Sequence, residues 1–112
     1  MKVIENRILP LPGYVAMTLW PFIFLRKGWY LTQRTRRHET IHARQQLELL
    51  ALPCLPVLFL LWYGVEWIVR SIQYRSFHQG YRNICFEREA YDNDTYVDYL
   101  DRRHPYAWLR YL

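Results

Sequence analysis

Residues 49–69 form an almost uninterrupted apolar run, and any fold of this 112-residue chain must bury the run or set it against a membrane. Glu66 is its one charged residue, and a helix of this length could cross a bilayer. Pro53 and Pro56 interrupt the run, because each removes a backbone donor and disfavours helix in the residue before it. The sequence therefore predicts a kinked or broken apolar helix that continues over residues 62–74.

Composition places the chain among compact globular proteins. Its 112 residues and 13.9 kDa fit one domain, residues 1–112. An apolar fraction of 52% excludes a disordered tail. Cys54 and Cys85 are too few for a disulfide scaffold or a metal site built on cysteine. All but two of the 15 basic residues are arginines, and a net charge of +5 favours anionic partners.

The N-terminal quarter of the chain predicts strands. Residues 8–31 are rich in β-branched and aromatic side chains, with a proline-glycine pair at 12–13 and a break at 26–28. Short strands in a hairpin fit this pattern better than a membrane span. Lys2 and Arg7 precede this segment, as basic residues precede the apolar part of a secretory signal. The segment is interrupted by prolines, however, and no small-x-small cleavage site follows it. We expect it to stay in the mature protein, in the cytosol or on the cytoplasmic side of a membrane.

Two further segments have helical patterns. Residues 32–52 hold good helix formers after Thr32 or Thr35, either of which can cap the start. Residues 83–100 are amphipathic at helical spacing, and the pattern ends at residues 104–105. We therefore predict an α+β, mainly helical fold. It consists of a small N-terminal β-hairpin or strand pair, an active-site helix, the apolar broken helix and a glutamate-bearing helix.

Residues 38–42 read HETIH, an H-E-x-x-H motif. On a helix, His38 and His42 lie one turn apart on one face, where both imidazoles can bind one Zn²⁺ at about 2.0–2.1 Å. Glu39 is rotated to the side of the pair, positioned to take a proton from a water that zinc has acidified. This chemistry requires all three residue types at this spacing.

A catalytic zinc needs a third protein ligand and an open fourth position. Glu87 and Glu89 are the candidates, because both lie near the start of a predicted helix, where carboxylates also favour the helix dipole. His78 and His104 have no ligand-like neighbours in the sequence. One of the two glutamates is therefore expected to complete the site with the two histidines.

These features together resemble the gluzincin metallopeptidases, in which a glutamate on a later helix joins the H-E-x-x-H pair. The run Glu87-x-x-Ala90 is similar to the E-x-x-A-D glutamate helix of the integral-membrane members, and this resemblance gives Glu87 the ligand role. Tyr91 stands where that pattern has its aspartate, so Asp92 or Asp94 becomes the candidate carboxylate beside a histidine. The resemblance covers under a third of the chain and implies a minimal-length zinc peptidase acting on peptides or proteins.

The metal site limits how the apolar run can meet a membrane. A single full crossing by residues 49–69 would put His42 and Glu87 on opposite sides of the bilayer, where they could not share a metal. A return crossing is costly because residues 70–86 carry several arginines. We expect the run to be buried, to dip in and return, or to lie along a membrane surface, which the flanking arginines favour. The run could also support a homo-oligomer.

Each candidate residue has a structural alternative as well. The two histidines could be a surface pair satisfied by water, Glu39 could pair with Arg36, and Glu87 could pair with a neighbouring arginine. Gln45 and Gln46 follow one turn on and could line the same face as the histidines, but we expect them on the helix surface. Three residues could donate to a developing oxyanion: Tyr81, Tyr91 and His78.

We therefore expect a zinc metallopeptidase in which His38, His42 and Glu87 hold Zn²⁺. Glu39 then acts as general base and afterwards as acid to the leaving amine. The alternative is a membrane-associated structural or interaction protein with a non-catalytic metal site or none. A nucleic-acid binder is the weaker rival, because the arginines are scattered along the chain and match no nucleic-acid motif.

Overall fold

The chain folds as a small N-terminal sheet followed by helices, as predicted. The computed structural model describes residues 2–8, 14–49 and 57–112. The strands are β1 (Lys2–Asn6), β2 (Ala16–Leu19) and β3 (Phe22–Arg26). The α-helices are α1 (Gln33–Glu48), α2 (Val57–Tyr74), α3 (Phe77–Arg82), α4 (Cys85–Asn93) and α5 (Tyr99–Arg102), and a 3₁₀ helix covers Ala107–Tyr111.

The sheet contains the predicted hairpin and one strand more. Strands β2 and β3 pair antiparallel, with Met17 opposite Phe24. Strand β1 was not predicted; it pairs parallel with β3, giving the order β1-β3-β2. Parallel strands are not joined by a tight turn, so turn residues in the sequence indicate only the antiparallel pair β2 and β3. Strand β2 is consequently an edge strand.

Helix α1 begins where a threonine cap predicts it. Of the two candidates, Thr32 is the cap, and its side chain accepts a hydrogen bond from the backbone N–H of Thr35 at 3.0 Å. The helix ends at Glu48 and packs against β2 and α4. Its predicted continuation over 50–52 lies outside the described residues, as do Pro53 and Pro56 and the break expected there.

Helix α2 supplies one wall of the core. Its Phe59 ring lies 4.5 Å from the ring of Phe86 in α4, and Trp108 packs 5.1 Å from Phe86 on the C-terminal side. Ile84 and Cys85 complete this fully buried cluster. Among the described residues, no helix is both long and apolar enough to cross a bilayer.

The segment predicted as one amphipathic stretch, residues 83–100, is divided in two. Helix α4 ends at Asn93, and the backbone N–H of Asp94 bonds to the carbonyl of Ala90 at 2.9 Å. A turn then leads into the short helix α5. The Asp94 side chain, directly after the end of α4, contacts His38 in α1.

Candidate metal centre

The two motif histidines meet on the buried face of α1. His38 and His42 are 6% and 5% exposed, and their Nε2 atoms lie 3.2 Å apart. One helical turn separates them, as the motif predicts. They are therefore not a solvated surface pair.

Helix α4 brings Glu87 to both histidines. Its Oε1 atom lies 3.0 Å from His38 Nε2 and 3.1 Å from His42 Nε2. The side chain is 4% exposed, because α4 packs with Ile84 and Phe86 in the core and turns Glu87 towards α1. The three candidate ligands of the sequence thus converge on one point.

The spacing of these donors fits a zinc ion. Two ligands bound tetrahedrally at about 2.0–2.1 Å lie about 3.3 Å from one another. The three separations among His38, His42 and Glu87 are 3.0 to 3.2 Å. Two imidazole nitrogens with one carboxylate oxygen also form the donor set of catalytic zinc sites. The residues present therefore fit the predicted metal.

A polar group holds the far side of each imidazole. Asp94 Oδ2 lies 2.9 Å from His38 Nδ1, and Gln45 Oε1 lies 2.8 Å from His42 Nδ1. When each Nδ1 carries the proton and donates it, each Nε2 presents its lone pair to the centre. The structure thus selects Asp94 over Asp92, whose side chain is exposed. Gln45 was predicted on the helix surface; that prediction is wrong, because the residue is fully buried.

The electrostatics of the centre favour a cation. Burial opposes a charge on His38, but the carboxylates of Asp94 and Glu87 outweigh it and raise the pKa of His38 to about 10. Burial also opposes a charge on His42, whose pKa is nevertheless raised by Glu87. Burial disfavours ionised Glu87, yet the two histidines lower its pKa. The same carboxylates would stabilise a divalent ion between the rings.

Two of the three arginines at the start of α1 have a partner in Asp94. Arg34 Nε donates to Asp94 Oδ1 at 2.9 Å, and Arg37 Nη1 donates to the Asp94 carbonyl at 2.5 Å. Basic residues at a helix N-terminus oppose the helix dipole. Here Arg34 holds the carboxylate that orients His38, and Arg37 holds the backbone of the same residue.

Glu89 has a different environment from Glu87. It is fully buried, and Arg103 donates to both of its oxygens at 2.6 and 3.1 Å. Tyr99 and Gln45 also donate to it, at 2.6 and 3.0 Å. Its lone pairs are therefore occupied, and the structure places Glu87, not Glu89, beside the histidines.

Glu39 lies beside the ligands in a cleft of about 150 Å³ between β2, α1 and α2. It is 6% exposed, and Thr18 Oγ1 donates to its Oε1 at 2.8 Å. The motif thus places Glu39 and His42 in the same cavity. The structural alternative, a pairing of Glu39 with Arg36, does not occur, since Arg36 is exposed on another side of α1.

The tyrosines around the cleft differ in their contacts. Tyr81 lines the cavity, and its hydroxyl lies 2.6 Å from that of Tyr91. The Tyr91 ring packs 4.4 Å from the His38 ring, whereas His78 is exposed on α3. Tyr63, which the sequence did not single out, donates to Glu87 Oε2 at 2.6 Å. Its place in a long apolar run gave no signal of this role.

Gln46 connects the motif helix to the sheet and was also wrongly predicted on the surface. Its Nε2 donates to the Thr18 carbonyl at 2.7 Å, and its Oε1 accepts from Trp20 N–H at 2.7 Å. The side chain is fully buried. It fixes the edge strand β2 against the site.

Comparisons with protein-family models, with curated proteins and with solved structures found no match to this chain.

Proposed function

We propose that the protein is a zinc-dependent metallopeptidase. One observation carries this proposal: His38, His42 and Glu87 converge within hydrogen-bond distance of one another, with Glu39 in the adjoining cleft. The H-E-x-x-H order assigns metal binding to the histidines and proton transfer to the intervening glutamate. The resemblance of both motifs to the gluzincins agrees with this assignment.

His38, His42 and Glu87 would hold the zinc, which would supply Lewis acidity and lower the pKa of a water towards neutral pH. Glu39 accepts the proton of the attacking water at its carboxylate and delivers it to the leaving amine. Thr18 holds Glu39 Oε1 at 2.8 Å, which fixes the plane of the carboxylate. Tyr63 holds the second oxygen of Glu87 at 2.6 Å.

The edge strand beside the cleft favours a peptide as substrate. The carbonyl of Val15 accepts from Arg26 N–H in β3, so the alternate residues Ala16 and Thr18 turn their backbone groups away from β3. Ala16 and Thr18 also line the cleft. An extended peptide can therefore add to β2 as a further strand and pass Glu39 and the metal ligands. Gln46 occupies this edge at Thr18 and marks the end of the open segment.

The test compares metal content with peptide hydrolysis in the same preparations. We expect wild type to bind one zinc per chain and to cleave a quenched fluorescent casein. Glu39→Gln should keep the zinc and lose cleavage, whereas His42→Ala should lose both. Equal cleavage by wild type and Glu39→Gln would reject the peptidase and leave a non-catalytic metal site.

A further inference from the structure

Helix α2 presents an apolar stripe to solvent. Six large side chains on one side of the helix are 45% to 73% exposed: Leu58, Leu61, Val65, Ile68, Val69 and Ile72. At 1.5 Å per residue the stripe is about 21 Å long, on a molecule that measures 34 × 32 × 31 Å. An apolar surface of this extent is a mark of an interaction site.

The two charged residues of α2 line the groove beside the stripe and are paired with each other there. Glu66 is 8% exposed and accepts from the Cys85 backbone N–H at 2.9 Å and from Trp62 Nε1 at 3.0 Å. Arg70 pairs with Glu66 at 3.3 Å. Because Phe59 and Glu66 are buried in the protein, the helix lies along the surface of the domain with the stripe turned outward. Leu60, Trp62 and Tyr74 of the same helix are exposed as well.

Within residues 57–83, every exposed charged residue is positive. Residues 57–83 contain one acidic residue, the buried Glu66. Arg75 is exposed and follows α2 three residues after Ile72, whereas Arg82 stacks on the Tyr91 ring near the metal centre. Arg110 is exposed in the C-terminal 3₁₀ helix, two residues before Leu112, which shares a groove with the stripe. An apolar strip bordered by arginines complements an anionic lipid surface.

We propose that the α2 stripe docks the protein on the surface of an anionic lipid bilayer, with the helix axis in the plane of the membrane. A second copy of the chain fits this face less well, because it would bring two molecules of charge +5 together. This docking goes beyond the proposed peptidase function and does not depend on it.

The experiment is flotation of the full chain with vesicles of phosphatidylglycerol and phosphatidylcholine, beside vesicles of phosphatidylcholine alone. The test variant is Leu61→Asn with Ile68→Asn, which removes apolar surface without adding charge. These side chains are 61% and 63% exposed, so the core stays intact, as circular dichroism should verify. Val97→Asn, at a residue 83% exposed beyond α4, is the matched control.

We expect wild type and Val97→Asn to float with anionic vesicles, more weakly at high salt, and the double variant to bind at least tenfold less. Absence of wild-type binding, or binding unchanged by the double substitution, would overturn the proposal. A wild-type dimer in sedimentation velocity that the double variant dissociates, without vesicle binding, would instead identify the stripe as an interface between copies.

Discussion

Thr18 Oγ1 in the edge strand lies 2.8 Å from Oε1 of Glu39 in the motif helix, so the strand that borders the cleft also orients the proposed general base. The same hydroxyl lies 3.0 Å from the Glu39 backbone carbonyl. Sheet and helix therefore meet at the residue that would move the proton. Thr18 therefore belongs to the strand that a substrate peptide would pair with, and it also holds the carboxylate of Glu39.

This relationship predicts the effect of removing the Thr18 hydroxyl. Thr18→Val should keep the zinc and lower the peptidase rate by about tenfold to a hundredfold, because a misplaced catalytic group loses that much. Thr18→Ser retains the hydroxyl and should stay within about threefold of wild type. Steady-state rates with zinc content measured in parallel test this, and equal rates for the two variants would contradict it.

Substitution of Glu87 and of Glu89 by glutamine should have different effects on zinc binding and on stability. Glu87→Gln removes a metal ligand and should abolish stoichiometric zinc binding while the chain stays folded. Glu89→Gln breaks a buried ion pair with Arg103, so we expect it to lower the free energy of unfolding by about 3 kcal/mol. The Glu89→Gln protein that remains folded should still bind zinc. Urea unfolding and elemental analysis of both variants test this. Loss of zinc from folded Glu89→Gln, with zinc retained by Glu87→Gln, would contradict the assignment of Glu87 as the ligand.

The groups behind the histidines should tune the affinity for zinc. Asp94→Asn and Gln45→Ala each remove a partner of an Nδ1 atom, and such losses typically weaken metal binding by about 10- to 100-fold. Asp92→Asn is the matched control, since that side chain is exposed. Competition with a zinc chelator measures all three. An effect of Asp92→Asn as large as that of Asp94→Asn would speak against the orienting role.

Two glycines should respond oppositely to alanine. A Cβ at Gly80 would lie 2.6 Å from the backbone nitrogen of Ser71, so Gly80→Ala should force α3 away from α2 and cost about 1–3 kcal/mol. Gly64 lies within α2 with no atom within 4 Å of its added Cβ. Gly64→Ala should therefore stabilise the protein by up to about 1 kcal/mol through helix propensity. Thermal or urea unfolding measures both changes, and destabilisation of equal size would refute the packing argument.

Much of the fold could be predicted from the sequence, because the features concerned depend on residues that are close together in the chain. The Thr32 cap and the hairpin of β2 and β3 depend on residues close together in sequence, and both occur as predicted. Strand β1 was missed because its partner β3 lies far along the chain and pairs with it in parallel. The end of α4 was missed because residues 94–98 contain no glycine or proline, the residues that usually mark the end of a helix.

The sequence by itself determined that His38 and His42 share a helix face and that Glu39 stands beside them, because helical geometry relates residues four and one apart. Only the tertiary structure decided which glutamate faces them. Glu87 and Glu89 are two residues apart and therefore point to different sides of α4. Burial of Ile84 and Phe86 sets the rotation of α4, which turns Glu87 to the histidines and leaves Glu89 to Arg103.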